Sequence, residues 1–282
     1  MPLLSELVAS MASGAVKVID LTAPLHEDTS VISLPPERGQ PWPFQREVIS
    51  RYDAAGPEVY WYNIRMSEHT GTHFDAPIHW ISGRDREDIA SIAPSRLIRP
   101  AVVLDFKAEA AQDADFLLTQ AHVERWCEDH GALPDGAWLL YRTGWADRRL
   151  DAQAFMNGNH WPGVDPGCAR WLAEETGIIG IGVETVGTDA GQAATLSQPF
   201  PCHWYFQGAG KYGITQLQNL DSLPPRGAVI VTSPLPIVGG TGSPSRILAL
   251  VEEGDGYSLS GTPNSLHPKR PDSTSLSSEA EV

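Results

Sequence analysis

Cysteine is scarce in this 282-residue sequence, which contains only Cys127, Cys168 and Cys202. A disulfide framework needs an even set of organised cysteines, so this composition predicts free thiols and a reducing compartment, the cytoplasm. Cys202 directly precedes His203, and such a pair could act as a thiol nucleophile. The proline and aromatic residues around it favour a packed pocket wall instead.

Basic residues are also few, with 20 Lys and Arg against 35 Asp and Glu and a formal net charge of −15. A nucleic-acid-binding surface needs a basic patch, and an anionic membrane attracts the same charge. We therefore expect neither a nucleic acid nor a membrane as a partner. The acidity itself indicates solubility more than any particular function.

Long apolar runs are missing, and so are internal repeats. No segment approaches the roughly 18 apolar residues that a membrane-spanning helix requires. The first 21 residues have no basic segment of the kind that opens a signal peptide, and Glu6 and several serines interrupt their apolar residues. The sequence therefore predicts a cytoplasmic protein without a membrane span.

Short apolar segments are present instead, and most of them have the composition of strands. Two helices fall between them: one opens at Asp113 or Asp115 and ends at Gly131, and the other spans residues 165–177 with Asp165 as its cap. The predicted strands are 17–22, 58–67, 101–106, 137–145, 178–185, 228–237 and 245–253.

This order predicts a single mixed α/β domain, residues 1–254, built on a large sheet or a barrel-like core. Residues 30–45 are rich in proline and should be irregular. From residue 255 onward the chain becomes rich in Ser and Pro with almost no apolar pattern, so residues 255–282 are predicted to be a disordered tail.

The most informative stretch is SEHTGTHFDAPIHW, which places His69, His73, Asp75 and His79 within eleven positions. Imidazole and carboxylate groups are the usual ligands of zinc and manganese. A straight strand would hold the first and last histidines roughly 33 Å apart, too far for one ion. A helix is excluded because Gly71 and a proline interrupt it.

A strand end followed by a tight turn remains. There, a positive φ at Gly71 would let His69, His73 and Asp75 converge on one ion, and His79 would lie beside them as an acid or base. Three ligands leave an open position for water and substrate, as a catalytic metal needs. The alternative is a histidine-rich surface turn with no ion.

The segment HTGTHFDAPIH resembles the H-x-G-T-H-x-D-x-P-x-H signature of the cyclase-like metal hydrolases, a family that includes isatin hydrolases and bacterial kynurenine formamidases. Four further segments, VIDLTAPLHEDT, LLYRTGW, WPGVDPGCARWLAEETGIIGIGVET and LPPRGAVIVTSPLPIVGGTGSPSRILAL, resemble other parts of the family. The resemblance covers residues 17–251 and implies a swivelling β/β/α fold, an active homodimer or homotetramer, and a divalent metal, Mn²⁺ or Zn²⁺, that activates water.

Position by position, the resemblance implies that His69, His73 and Asp75 bind the metal and that His79 is catalytic. It also matches His203, in FPCHWYFQG, to a downstream histidine that binds substrate or a second metal, and we predict His203 as a second catalytic residue beside His79.

One departure from the family concerns a glutamate that bridges two zinc ions in kynurenine formamidases. Gln216 or Gln218 stands where that glutamate should fall, and a neutral amide is a poor bridge between two cations. We therefore predict one metal per chain and an isatin-hydrolase-like reaction. Gln216 is the candidate substrate contact, and either Gln216 or Gln218 could face the site. Glu184 occupies the acidic position of the family's G-x-D strand.

Aromatic residues flank the histidine cluster and could stack on a small planar aromatic amide. The candidates for such contacts are Trp61, Phe74, Trp80 and Trp204, although aromatic residues beside a strand more often belong to the core. The glycine-rich segment 239–243 is predicted to be a hairpin turn rather than a phosphate loop, and Arg142 and Asp105 are predicted to be structural.

The sequence thus favours a metal-dependent amidohydrolase that opens a cyclic or aryl amide. Kynurenine formamidase activity, or a lactone hydrolase or cyclase of the same family, is the alternative within this chemistry. A non-catalytic metal-binding scaffold is the alternative outside it, and this would require a closed shell of four ligands.

Overall fold

The computed structural model describes residues 2–254, and the predicted tail 255–282 lies outside them. Its helices are α1 Leu3–Ser13, α2 Lys107–Gln112, α3 Gln120–His130, α4 Ala152–Met156 and α5 Pro166–Glu174. Its strands are β1 Val16–Asp20, β2 Gln45–Asp53, β3 Gly56–Arg65, β4 His73–Asp75, β5 Ile98–Asp105, β6 Leu117–Leu118, β7 Trp138–Arg142, β8 Gly163–Val164, β9 Gly180–Val183, β10 Tyr212–Thr215, β11 Ala228–Pro234 and β12 Gly242–Glu252.

Seven strands close into a barrel in the order β12-β11-β5-β7-β9-β10-β4, with β4 pairing back onto β12. The strand pairs β5–β7, β7–β9 and β9–β10 are parallel, and the other pairs of the barrel are antiparallel. β1 adds to the far end of β12. This closed sheet confirms the predicted mixed α/β fold with a barrel-like core.

Alternate residues of the central strands face opposite sides, as the two-residue period of a strand requires. Ala101 and Val103 of β5 lie in the apolar cluster that also contains Trp138 and Tyr212. Val102 and Leu104 belong to a second cluster, which includes buried side chains of α3 and α5. The strands are therefore buried on both faces, which explains their nearly continuous apolar sequences.

The predicted start is right for α5, which ends at Glu174 rather than at Gly177, and the predicted start is wrong for α3. Asp165 caps α5 by accepting hydrogen bonds from the backbone N–H groups of Gly167 and Cys168. The helix predicted to open at Asp113 or Asp115 begins only after Thr119, which forms a capping box with His122. The two residues before Thr119 form β6, which pairs in parallel with β8, and this tertiary pairing overrides the helical spacing.

Several elements were not predicted, among them α2, α4, β6, β8 and β10, and two more lie outside the barrel sheet. The first is α1, none of whose residues is buried and which ends at Gly14 in the left-handed conformation, with φ of 83°. The second is β2, which pairs with the predicted β3 to form a hairpin that is separate from the barrel sheet. Within residues 2–254, no helix combines the length and apolar character that crossing a membrane would demand.

Candidate metal centre and active site

The histidine cluster lies where the chain turns into β4, a short strand held on both sides by the barrel. β4 pairs with β10 on one side and with the start of β12 on the other, so His73 and Asp75 are fixed by two ladders. Gly71 has a φ of +64°, as the sequence predicts, and an added Cβ there would lie 2.6 Å from Leu25 Cδ2. The turn therefore requires glycine for its conformation and for space.

Asp75 lies at the centre of the cluster. Its Oδ1 atom is 2.9 Å from His69 Nδ1 and 3.3 Å from His73 Nε2. His79 ends the short 3₁₀ turn Pro77–His79 and stacks its ring on His69, with 4.0 Å between centroids. One ligand atom each from His69, Asp75 and His79 all lie within 4.8 Å of one another. By this measure the third member of the group is His79 rather than the predicted ligand His73.

The hydrogen bonds of His73 show why this cluster suits a cation. His73 Nδ1 lies 2.8 Å from the carbonyl oxygen of Gly71 and 2.9 Å from Thr215 Oγ1. Because a carbonyl oxygen can only accept, Nδ1 carries a proton, so any lone pair on the ring lies on Nε2, which faces Asp75 Oδ1. A lone pair facing a carboxylate oxygen is repulsive unless a cation or a proton lies near both. The donor set therefore fits a divalent ion.

Electrostatics keep the carboxylate charged and His79 neutral. Burial acts to raise the pKa of Asp75, but the neighbouring His73 and His69 hold it well below its usual range. Burial, reinforced by His69, lowers the pKa of His79 to about 3. A neutral imidazole at physiological pH can ligate a metal or accept a proton.

His203 approaches the cluster from a separate segment, the π-helical turn His203–Gln207. Its Nδ1 is bonded to the carboxylate of Asp189, which also accepts a hydrogen bond from the backbone N–H of Cys202. Burial acts to lower the pKa of His203, but the carboxylates of Asp189 and Asp75 outweigh burial and raise it. The ring of His203 lies 5.4 Å from that of His79, so the structure brings the two predicted catalytic histidines together.

The predicted aromatic contacts divide into two groups. Trp80 lies beside the cluster, with its ring 4.7 Å from His203 and 5.4 Å from Phe200. Phe74 is fully buried in the barrel core against Trp138 and Tyr212. Its side chain faces the opposite side of β4 from the side chains of His73 and Asp75, as alternation along a strand requires.

Trp61 and Trp204 have solvent-exposed side chains. Trp61 belongs to the β2–β3 hairpin, where it pairs with Ser50, and 55% of its surface is exposed. Trp204 is 40% exposed next to His203. Of these candidates, Trp80 lies beside the cluster, Phe74 in the barrel core and Trp61 on the hairpin.

Gln216 and Gln218 are both buried just after β10. The Gln216 amide donates to the carbonyl of Ser30, 3.2 Å away, and its backbone has a φ of 55°. The Gln218 amide donates to the carbonyl of Leu217 at 3.1 Å. Thr215, immediately before them, is the residue that contacts a predicted ligand, His73. No motif in the sequence marks Thr215, whose importance comes from its register opposite His73 on β4.

Three other sequence predictions concern residues outside the cluster. Arg142 and Asp105 form an ion pair across neighbouring strands, which fits their predicted structural role. Cys202 is buried, and burial raises the pKa of its thiol well above the ordinary value, which argues against a nucleophile. The glycine-rich segment 239–243 connects β11 to β12, as predicted for a hairpin turn.

Glu184 follows β9 and holds the turn after β7. Its Oε2 accepts hydrogen bonds from the backbone N–H groups of Thr143, at 2.7 Å, and Trp145, at 3.1 Å. Burial raises the pKa of Glu184 from an ordinary value of 4.5 to about 7, against the effect of these donors. Glu184 therefore stabilises the turn after β7 rather than the histidine cluster. Its ionisation should change the thermal stability of the fold.

We expect this raised pKa to lower the thermal stability as the pH rises through 7. Between pH 4.5 and about 7 the carboxyl group of Glu184 is ionised in the unfolded chain but still protonated in the folded protein. The free energy of unfolding therefore falls as the pH rises through this range, until both states are ionised. The Glu184→Gln variant should have a flatter profile of unfolding midpoint between about pH 5 and 8 than the parent. Parallel profiles for the two proteins would contradict this assignment.

Comparisons with known proteins agree with this geometry. The family model described as "Putative cyclase" matches residues 19–190. The isatin hydrolase of Roseibium aggregatum is 42% identical over 255 residues, covering 88% of this chain and 97% of that protein. A solved isatin hydrolase bound to the product analogue thioisatinate superposes with a TM-score of 0.86 at 40% identity, covering 89% of this chain and 98% of that one.

The kynurenine formamidase of Salinibacter ruber is more distant, at 29% identity over 217 residues, covering 73% of this chain and 88% of that protein. The structural likeness and the shared sequence therefore extend over nearly the whole described chain, well beyond the signature. Since the family model spans more than half of the sequence and the isatin hydrolase relative matches almost end to end, this chain belongs to the cyclase family.

Proposed function

We propose that this protein is a metal-dependent hydrolase that opens the ring of a cyclic aryl amide, isatin or a close relative. The observation that carries the proposal is the contact of one carboxylate oxygen, Asp75 Oδ1, with the nitrogens of two histidines, His69 and His73. These three residues would hold one Mn²⁺ or Zn²⁺. The relatives named isatin hydrolase support the substrate class.

A bound divalent ion supplies Lewis acidity, which polarises a carbonyl group and makes water more acidic. In the proposed reaction, water adds to the amide carbonyl, the C–N bond breaks, and the ring nitrogen takes up a proton. His79 is neutral at physiological pH and stacked against His69, so it is placed to accept the proton that water loses.

His203 is suited to a different task from His79. Asp189 binds Nδ1 of His203 and stabilises the charged form of the ring. Its Nε2 atom can then donate a hydrogen bond to the substrate or to the leaving nitrogen. Trp80, next to His203, provides an aromatic surface on which a planar substrate can stack.

A single metal and a cyclic substrate fit better than a two-metal formamidase. The residues at the expected bridging position, Gln216 and Gln218, are neutral, and their amides are bonded to backbone carbonyls. Kynurenine formamidase and lactone hydrolase activities are the alternatives within the family. A scaffold function would require His79 to bind the metal as a fourth ligand. Its proximity to His69 and Asp75 is the observation that favours this alternative.

The substrate class can be tested with the purified protein reconstituted with Mn²⁺ and, separately, with Zn²⁺. Isatin, N-formylkynurenine and an aryl lactone would be compared by kcat/KM, with product identity checked by mass spectrometry. We expect isatin to be opened to isatinate with the highest kcat/KM of the three. Preference for N-formylkynurenine would favour the formamidase assignment, and no turnover of any substrate would favour the scaffold.

We also propose that the protein acts in the cytoplasm as a homodimer or homotetramer. The β2–β3 hairpin supports this assembly, because an isolated two-stranded hairpin is marginal in water and this one exposes large apolar side chains. The exposed residues include Val48, Tyr52, Val59, Tyr60, Trp61 and Ile64, and Ile64 has 60% of its surface exposed. The three cysteines are free thiols, as suits a reducing compartment.

We expect the double substitution Trp61→Ser and Ile64→Lys to weaken the assembly, because it removes two large apolar groups from the hairpin. Sedimentation velocity should show an oligomer for the parent and a shift of at least about tenfold in the dissociation constant for the variant. Leu150→Ser, an equally exposed apolar residue outside the hairpin, is the matched control. A monomeric parent, or equal shifts in both variants, would exclude the hairpin as the interface.

A further inference from the structure

The turn between β11 and β12 contains a residue that contacts the candidate metal centre directly. Thr241 Oγ1 lies 2.9 Å from His69 Nε2 and 2.7 Å from Glu68 Oε2. The backbone N–H of Thr241 also donates to Glu68 Oε2, at 3.1 Å. Neither Glu68 nor Thr241 belongs to the histidine signature, so these contacts add a layer of residues around it.

The hydrogen bonds of these residues have only one consistent direction. A carboxylate can only accept, so the single hydroxyl hydrogen of Thr241 points to Glu68. The hydroxyl oxygen must then accept from His69, which places the ring proton of His69 on Nε2. The Nδ1 atom of His69 then faces the cluster, 2.9 Å from Asp75 Oδ1. Without an ion this atom donates a hydrogen bond to the carboxylate, and a bound divalent ion would replace that proton.

Close packing keeps His69 in this position. A Cβ atom at Gly242 would lie 2.5 Å from Cε1 of His69 and 2.6 Å from the carbonyl oxygen of Phe74. Only glycine lets the chain after Thr241 pass so near to the ring while still pairing with Asp75 in the ladder of β4 and β12. The ring is thus held by hydrogen bonds at Nε2 and by backbone against its Cε1 edge.

We propose that Glu68 and Thr241 are positioning residues that fix His69 as the Nε2-protonated tautomer, so that it binds the divalent ion through Nδ1. The proposal builds on the metal centre of the proposed function and deepens it. Residues that accept the second N–H of a metal-binding histidine set its tautomer and its ring orientation, and their loss weakens metal binding. Because the Thr241 hydroxyl donates its hydrogen to Glu68, its oxygen stays oriented to accept a hydrogen bond from His69.

The test compares Thr241→Val, which keeps the shape and removes the hydroxyl, with Thr241→Ser, which keeps the hydroxyl. The metal-stripped full-length proteins would be titrated with MnCl₂ in competition with a chelating dye, without any substrate. We expect Thr241→Val to bind Mn²⁺ about 10–100-fold more weakly than the parent and Thr241→Ser to stay within about threefold of it. Glu68→Gln, which retains an acceptor but no charge, should fall between them.

A second readout reports the tautomer itself. In the metal-free parent labelled with ¹⁵N-histidine, Nε2 of His69 should be protonated, and Thr241→Val should lower the protonated fraction at Nε2. Unchanged Mn²⁺ affinity in Thr241→Val, or an unprotonated Nε2 in the parent, would overturn the proposal. Neither measurement uses a substrate. A protein that does not hydrolyse isatin could therefore still meet both expectations, and a protein that does hydrolyse isatin could fail them.

Discussion

The Asp75→Asn variant should be isolated without stoichiometric metal and with hydrolysis reduced on the order of 10⁴-fold or more, the scale expected when a catalytic unit loses an essential member. The Oδ1 atom of Asp75 lies within 3.3 Å of ring nitrogens of both His69 and His73. An amide of the same shape keeps the packing but loses the negative charge that offsets a dication.

The measurement is elemental analysis after dialysis, followed by turnover with added Mn²⁺. Asp105→Asn is the matched control, because it makes the same chemical change at an aspartate that pairs with Arg142 on neighbouring strands. Circular dichroism would verify that both variants are folded. Full metal retention by Asp75→Asn would show that the ion binds elsewhere.

His79→Ala is expected to keep its metal and to lose about 10²–10⁴ in kcat, the usual contribution of general acid–base catalysis. The imidazole of His79 is neutral because its pKa is lowered to about 3, and its ring lies against His69, so it can take a proton beside the centre. His130→Ala, on the exposed end of α3, serves as the control for removing a histidine.

The metal content of His79→Ala separates three roles for this residue. Retained metal with reduced turnover identifies a base or acid. Loss of metal would make His79 a ligand, as its position within 4.8 Å of the ligand atoms of His69 and Asp75 permits. Retained metal with unchanged turnover would remove His79 from the reaction altogether.

The cluster could be predicted because its residues are close in the chain. The spacing of His69, His73 and Asp75 excludes a helix or a straight strand, and the positive φ of Gly71 then follows from the required turn. The cap of α5 at Asp165 is equally local, since it involves the next three residues only. Local chemistry of this kind can be identified without knowledge of the tertiary fold.

Residues that meet the cluster through tertiary contacts could not be predicted in the same way. Thr215 contacts His73 through strand register, Asp189 contacts His203 through a separate loop, and Thr241 reaches His69 from a turn 172 positions away. Threonine and aspartate are common in loops, so nothing in their local sequence marks them. The same limitation misplaced the start of α3, where pairing of β6 with β8 prevailed over helical spacing.

Titration of the metal-stripped protein with Mn²⁺, with the initial rate of isatin ring opening followed at each step, tests the central claim most directly. The ligand set of His69, His73 and Asp75, with no bridging carboxylate at Gln216 or Gln218, predicts activity that is absent without metal and reaches its plateau at one equivalent per chain. Full activity in the stripped protein, or a plateau only at two equivalents, would contradict a single-metal hydrolase.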